Sequence, residues 1–451
     1  MMGISKQPPK RFPLADKGLA CQLKWTHSTV YLTDGISASC HKAGFGKYEV
    51  KDGIMNFHNI QNKLEDRRKM LKGEWPGNGC EHCKHIEETP GAGKSDRQIH
   101  LQLENTTAPP ELDTEAEAVA VTPRQVEVYW GNTCNQKCIY CDAHYSSQIH
   151  QEQKRFGRFD KDGVVMDYNN FKYNPNIEKD TEALFAWFEK NIHKLHKVFI
   201  LGGEPFLQKE TYRFIEFLES RELPDLTLSF FSNHNVEHER FKNWVGRLNK
   251  MVTEGRLDKL QIIASCDAWG PAGEYVRTGI DLPLLQKNFE YVLNETQILQ
   301  GINSALTVTA VPGMPELVRL INNWSKVRPV YWSMTKADNY HPNRAMHMYP
   351  GIFGKKINDW GLREAVELYD TNTNGYPDSV KTLHKDFMIG NMKEFENREP
   401  NIRGQKQFRT YLNELDRRRG TDWKKSLSAD VGFGKRPVVI FFYSWQILPS
   451  S

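Results

Sequence analysis

Between residues 126 and 334 the sequence alternates short apolar runs with amphipathic ones, and that alternation limits the fold more than any other feature. "VEVYW" (126–130), "KVFILGG" (197–203), "LTLSFFSN" (226–233), "KLQIIASCD" (259–267), "SALTVTAV" (304–311) and "VYWSM" (330–334) read as strands. The stretches between them carry apolar residues at helical spacing: 181–195, 209–220, 238–252, 282–296 and 315–326. In the first of these, Leu184, Phe185, Phe188 and Ile192 share a face. Six strands with helices between them imply a parallel sheet with right-handed crossovers, as a partial barrel or an open sheet. In either form the chemistry belongs at the C-terminal strand ends. Residues with chemical potential do gather there: a three-cysteine loop after the first strand, "GGEP" (202–205), "SN" (232–233) and "SCD" (265–267).

The rest of the composition sets bounds. A chain of 451 residues has room for two or three domains. The net charge of +4 does not indicate a nucleic-acid partner. "MMGISKQPPKRFPLADKG" has no apolar core, so no signal peptide is expected, and no apolar run reaches membrane-spanning length; "VVIFFYSW" is too short. The expected location is cytoplasmic. Residues 104–123, with three prolines, five acids and no base, read as a linker. The expected division is 1–103, cysteine-rich; 104–123, linker; 124–335, core; and 336–451, a mixed C-terminal extension.

Eight cysteines are too few for a disulfide scaffold, and five of them cluster. Close pairs without a secretory signal read as metal ligands. In "WGNTCNQKCIYCDAH" (130–144), Cys134, Cys138 and Cys141 are three thiolates where a four-iron cluster has four corners. The fourth iron is then left for a ligand that is not protein, much as a catalytic zinc keeps one position open.

This C-x3-C-x2-C after a first strand, with an aromatic residue before its last cysteine, resembles the radical S-adenosylmethionine (radical SAM) enzymes. The resemblance implies a TIM-like partial (β/α)6 barrel and a [4Fe-4S] cluster whose open iron is chelated by SAM. Its reductive cleavage gives a 5′-deoxyadenosyl radical that abstracts hydrogen from substrate, with an electron donor such as flavodoxin or ferredoxin as partner. "LGGEPFL" (201–207) resembles the family's GGE motif. By that match Gly202 and Gly203 let the backbone approach SAM, and Glu204 takes its amino group. Tyr140 lies near the adenine, and Ser265 and Asp267 near the ribose. Arg277, in "GEYVRTG" (273–279), meets the SAM carboxylate. The family's G-x-I-x-G-x-x-E is replaced here by "TVTAVPGMPE" (307–316). The alternative readings are a zinc site for the loop, a helix cap for Ser265 and Asp267, and a surface charge for Arg277. Cys266 reads as buried filler.

Cys21, Cys40, Cys80 and Cys83 form a second full ligand set. The first two flank two short strand patterns around a "TDG" turn. The region resembles the SPASM and twitch modules of radical SAM enzymes, here placed before the barrel, and so implies an auxiliary [4Fe-4S] cluster. The spacing of "CEHC", with His82 and His85 nearby, leaves structural zinc open. SPASM and twitch enzymes make a peptide or protein the first candidate substrate. A small molecule or nucleotide, or a non-catalytic electron-transfer role, are the alternatives. In the C-terminal extension, 408–428 reads as an amphipathic docking helix, with Arg417, Arg418 and Arg419 at its end rather than as a nucleic-acid patch. "NYHPNRAMHMY" (339–349) is a candidate substrate loop.

Overall fold

The computed structural model describes residues 19–42, 44–77, 79–89, 94–102, 120–166, 171–336, 348–369 and 378–427. Most of the linker, most of "NYHPNRAMHMY", the N-terminal eighteen residues and "VVIFFYSW" lie outside them.

Seven parallel strands form the sheet: β1 (His27–Tyr31), β2 (Gln125–Tyr129), β3 (Lys197–Leu201), β4 (Leu223–Ser232), β5 (Leu257–Ser265), β6 (Leu299–Leu306) and β7 (Val330–Lys336). Each pairs with the next in chain order. Two short antiparallel strands, Ile36–Ala38 and Gly46–Lys47, extend the β1 edge, giving nine strands in one open sheet. Helices α1 (Ile177–Asn191), α2 (Lys209–Glu219), α3 (His238–Thr253), α4 (Leu282–Glu295) and α5 (Met314–Val327) connect β2 through β7.

The alternation in β2 shows why the layers form. Val126 and Val128 are fully buried in a cluster with Leu184 and Phe188 of α1. Glu127 and Tyr129 point the other way, where Glu127 accepts from Thr29 Oγ1 at 2.8 Å and Tyr129 stacks on Tyr31. One face of each strand thus meets a helix and the other lines the interior.

Two expectations are corrected. Among the described residues the parallel strands number seven rather than six, because β1 comes from the cysteine-rich N-terminal region and pairs with β2 from His27↔Gln125 to Tyr31↔Tyr129. The fifth expected strand, 304–311, lies at 299–306 instead, and Val311–Gly313 is a 3-10 turn. "TVTAV" has strong strand propensity, but Thr307 and Thr309 are buried in a turn, bonded to each other through their hydroxyls. Gly301, which reads as a strand breaker, sits in β6 because a Cβ there would lie 3.0 Å from Tyr331 O of β7.

The C-terminal extension packs onto the β5–β7 side through Tyr349, Phe395, Phe408, Tyr411 and Leu412. Its long helix, α6 (Ile402–Arg419), starts six residues earlier than the sequence suggests and stops at Gly420 (φ 69°). The three arginines at its end are not a free basic patch. Arg418 and Arg419 are buried and paired with Glu414 and Glu152, and Arg417 pairs with Glu414. Among the described residues, no helix is long and apolar enough to cross a membrane.

Candidate active site

At the C-terminal ends of the strands a cavity of ≈ 240 Å³ opens. All three loop cysteines line it, together with Tyr140, Gly202, Gly203, Ser265 and Arg277. Gly202 and Gly203 follow β3 directly, Ser265 ends β5, the cysteines and Tyr140 lie on the loop after β2, and Arg277 is brought in by the helix Gly270–Val276 that follows β5.

The cysteine loop is held at its start and in its middle. Gly203 N donates to Gly131 O at 3.0 Å and Glu204 N to Thr133 O at 2.7 Å, so the GGE turn is laced to the start of the loop. This explains the two glycines. Gly202 has φ 126°, which favours glycine, and a Cβ at Gly203 would lie 2.2 Å from Thr133 O. They let two backbones meet, a reason the sequence motif alone does not reveal. In the middle, Lys137–Cys138 forms a two-residue antiparallel ladder with Arg277–Thr278, and Ile139 N donates to Val276 O at 2.9 Å.

Glu204 and Asp267 stand behind the cavity and do not line it. The Glu204 carboxylate is fully buried and accepts from Phe206 N (3.0 Å), Ser232 Oγ (2.8 Å) and Asn233 N (2.6 Å). Burial pushes its pKa up to about 7, against those donors. It ties the GGE turn to the end of β4. Asp267 is likewise buried and engaged. Arg277 Nε lies 2.9 Å and Nη2 3.0 Å from its two oxygens, Tyr140 OH donates at 2.7 Å and Ala305 N at 2.7 Å. Asp267 is thus no helix cap, since the next helix, Gly270–Val276, is preceded by Trp269. Arg277 is no surface charge, and Cys266 is buried filler as expected. Burial opposes the Arg277 charge, but Asp267 holds its pKa well above the ordinary value.

The cavity has further walls. Asn233 follows directly after β4, where "SN" had already stood out. Its Nδ2 lies 4.0 Å from Cys134 Sγ and donates to Asn135 Oδ1 at 2.8 Å. Asn303, Ser304 and Ala305 of β6 and Thr335 of β7 also line it. Displacing β6 by five residues hid the first three, because Asn303 fell just before the expected strand and Ser304 and Ala305 at its start rather than its end.

Residues 128–248 match the model of the Radical SAM superfamily. A radical SAM domain in this region indicates a radical SAM enzyme. The match runs from within β2 to within α3, so it covers the cysteine loop and the GGE turn but stops short of Ser265, Asp267 and Arg277. No curated protein matches the chain.

Radical SAM enzymes use a [4Fe-4S] cluster, SAM and an electron donor. The residues present fit such a cluster. Three thiols face one cavity, and N–H donors approach their sulfurs: Gln136 N is 3.5 Å from Cys134 Sγ and Arg277 Nη1 3.6 Å from Cys138 Sγ. Burial pushes the Cys134 thiol up to about 12 and raises Cys138 and Cys141. A positive partner such as iron would favour the thiolate form at these positions.

The second cysteine set also converges. Cys21, Cys40, Cys80 and Cys83 line one tight pocket of ≈ 20 Å³, walled by Leu23, Met70 and Trp75, with Lys24 and Arg97 at its side. None of the eight cysteines is in a disulfide. Burial pushes Cys21 up to about 12 and Cys80 up to about 11. Among the described residues, in either set, no three Cys, His, Asp or Glu side chains stand close enough as placed to hold a single metal ion.

Proposed function

We propose that this enzyme binds SAM at a cluster held by Cys134, Cys138 and Cys141 and abstracts hydrogen from a peptide or protein substrate. When bound, the cluster supplies the electron that cleaves SAM to the hydrogen-abstracting radical. The single observation that carries the reading is the shared cavity, in which three thiols, and not four, meet a pocket with room for a further ligand. Gly202 and Gly203 present backbone at its wall, Tyr140 and Ser265 flank it, and Arg277, oriented by Asp267, offers a guanidinium to a carboxylate. Glu204 acts from behind by fixing the GGE turn and Asn233. Strands β4, β6 and β7 close the sides and limit access of water.

In this reading residues 124–335 are the catalytic core, joined by 104–123 to an auxiliary-cluster region, 1–103, with 336–451 as an extension. Cys21, Cys40, Cys80 and Cys83 hold a second [4Fe-4S] cluster. Cys21 precedes β1 and Cys40 follows its antiparallel neighbour, so this pocket sits at the N-terminal end of the sheet. The five residues of β1 alone separate the two ends by about 16 Å. A centre there does not touch the reacting atoms, and it suits electron relay. The likeness to SPASM and twitch modules supports the peptide or protein substrate.

The test is iron, sulfide and zinc per chain after anaerobic purification, with 5′-deoxyadenosine measured after reduction in the presence of SAM. About eight irons, falling to about four in the Cys134/Cys138/Cys141→Ala variant, are expected for two four-iron clusters. One zinc with about four irons makes the N-terminal site structural. An iron-loaded protein that forms no 5′-deoxyadenosine would falsify the SAM-cleavage reading.

A further inference from the structure

The cysteine loop is braced from the far end of the chain. Three successive carbonyls run through its middle. Cys138 O accepts from Cys141 N at 3.0 Å. The carbonyls on either side accept from side chains of α6: Arg419 Nη1 donates to Lys137 O at 2.9 Å, and Tyr411 OH donates to Ile139 O. The same Arg419 nitrogen lies 3.2 Å from Thr278 Oγ1. Lys137 and Thr278 are one register pair of the ladder that also matches Cys138 to Arg277. A ladder of two residue pairs does not hold itself together in water. Arg419 pins both strands of it at once.

The brace is itself anchored. The Arg419 side chain is 3% exposed, and its guanidinium meets Glu152 at 2.9 and 3.2 Å, on the helix that follows the loop (Ser147–Phe156). A buried arginine without that carboxylate would be costly, so the pair fixes the fork's direction. Tyr275, two residues before Arg277, reaches back to Asp416 of α6 at 3.0 Å. The loop and the Arg277 segment are therefore both tied to α6.

We infer that Tyr411 and Arg419 are positioning residues, which set the place of Cys138 and Arg277 and thereby the geometry at which SAM is held. No motif near residue 134 points to them. They stand more than 270 positions away in the chain, in a helix whose sequence shows only an amphipathic face and a basic end.

The test uses the full chain in two states. In metal-free protein, hydrogen exchange is followed at 137–141 and 277–278 in wild type, Tyr411→Phe, Arg419→Lys and, as control, Arg417→Ala, whose partner Glu414 lies on α6 itself. Tyr411→Phe removes one hydroxyl and keeps the ring, so it tests the idea even if the arginine variant fails to fold. Exchange should rise roughly tenfold in these two segments for Tyr411→Phe and Arg419→Lys, and not for the control. A rise spread evenly over β2 to β5 overturns the inference, as does no rise at all. In iron-loaded protein, which rests on the function proposed above, the KM for SAM should rise several-fold with a smaller change in kcat. A loop that loosens with an unchanged KM for SAM overturns the positioning role. The metal-free readout stands whatever the substrate or reaction proves to be.

Discussion

The two cysteine sites lie at opposite ends of the same sheet and differ in what surrounds the sulfurs. At the C-terminal end three thiols face ≈ 240 Å³ of space edged by Asn233, Ser304 and Arg277; at the N-terminal end four thiols close on ≈ 20 Å³ between Leu23, Met70 and Trp75. The comparison teaches how ligand number and free volume go together. A missing fourth cysteine has meaning only where the protein leaves room for something else, and a complete set belongs where it does not.

The sharpest way to break this contrast is to remove each set in turn. Cys134/Cys138/Cys141→Ala should abolish 5′-deoxyadenosine formation while the far-ultraviolet circular dichroism stays as in wild type. Cys80→Ala with Cys83→Ala should lower the melting temperature but leave a reduced-cluster electron paramagnetic resonance signal that still changes when SAM is added. A signal lost in both variants would show that the two ends are not independent.

A smaller effect is expected from Asp267→Asn. It leaves Arg277 buried without its carboxylate, so urea unfolding should show a loss of about 3–5 kcal/mol, as for other broken buried pairs. SAM affinity should fall with it. Gly203→Ala should come next, costing about 1–3 kcal/mol, because a Cβ 2.2 Å from Thr133 O forces the cysteine loop to move. The four-cysteine pocket lies at the other end of the sheet and should not change.

The smallest effect concerns pH. The folded Glu204 carboxyl keeps its proton up to about 7, while the unfolded chain releases it near 4.5. Between those values the folded state binds more protons, so this group's contribution to stability falls as pH rises, by at most about 1.4 kcal/mol per pH unit. It is level above the window. Glu204→Gln should flatten that slope in urea titrations; a slope unchanged from wild type would rule out a raised Glu204.

Much of this was legible in the sequence, and the gaps have physical causes. Alternation located β2 to β5 within three residues, because strands buried on both faces carry long β-branched and aromatic runs. It misplaced β6, since Thr307 and Thr309 have strand chemistry in a turn while Gly301 has breaker chemistry in a strand. It gave no hint that β1 joins the sheet, because parallel pairing leaves no local mark on either partner. The cysteines, Gly202, Gly203, Ser265 and Arg277 were readable as a group and do meet. Glu204 and Asp267 were read, through the resemblance, as partners of the SAM amino group and ribose; that Asn233 and Arg277 engage their carboxylates was not readable. Asn303 and Thr335 carried no signal, because each fell one residue outside its expected strand.

The position of β1 also bears on how the protein is made. Thr29 meets Glu127 across 98 residues of chain. During synthesis the first strand therefore leaves the ribosome long before the neighbour that covers its second edge, and until then that edge is open to other chains. The four cysteines lie within or beside the intervening segment. An ion or cluster captured by them would gather residues 21 to 83 into one body and shorten the search for β2. Metal bound there during growth would then speed the folding of the chain, so metal-starved cells should yield a larger aggregated share of it, with the remainder folded and soluble.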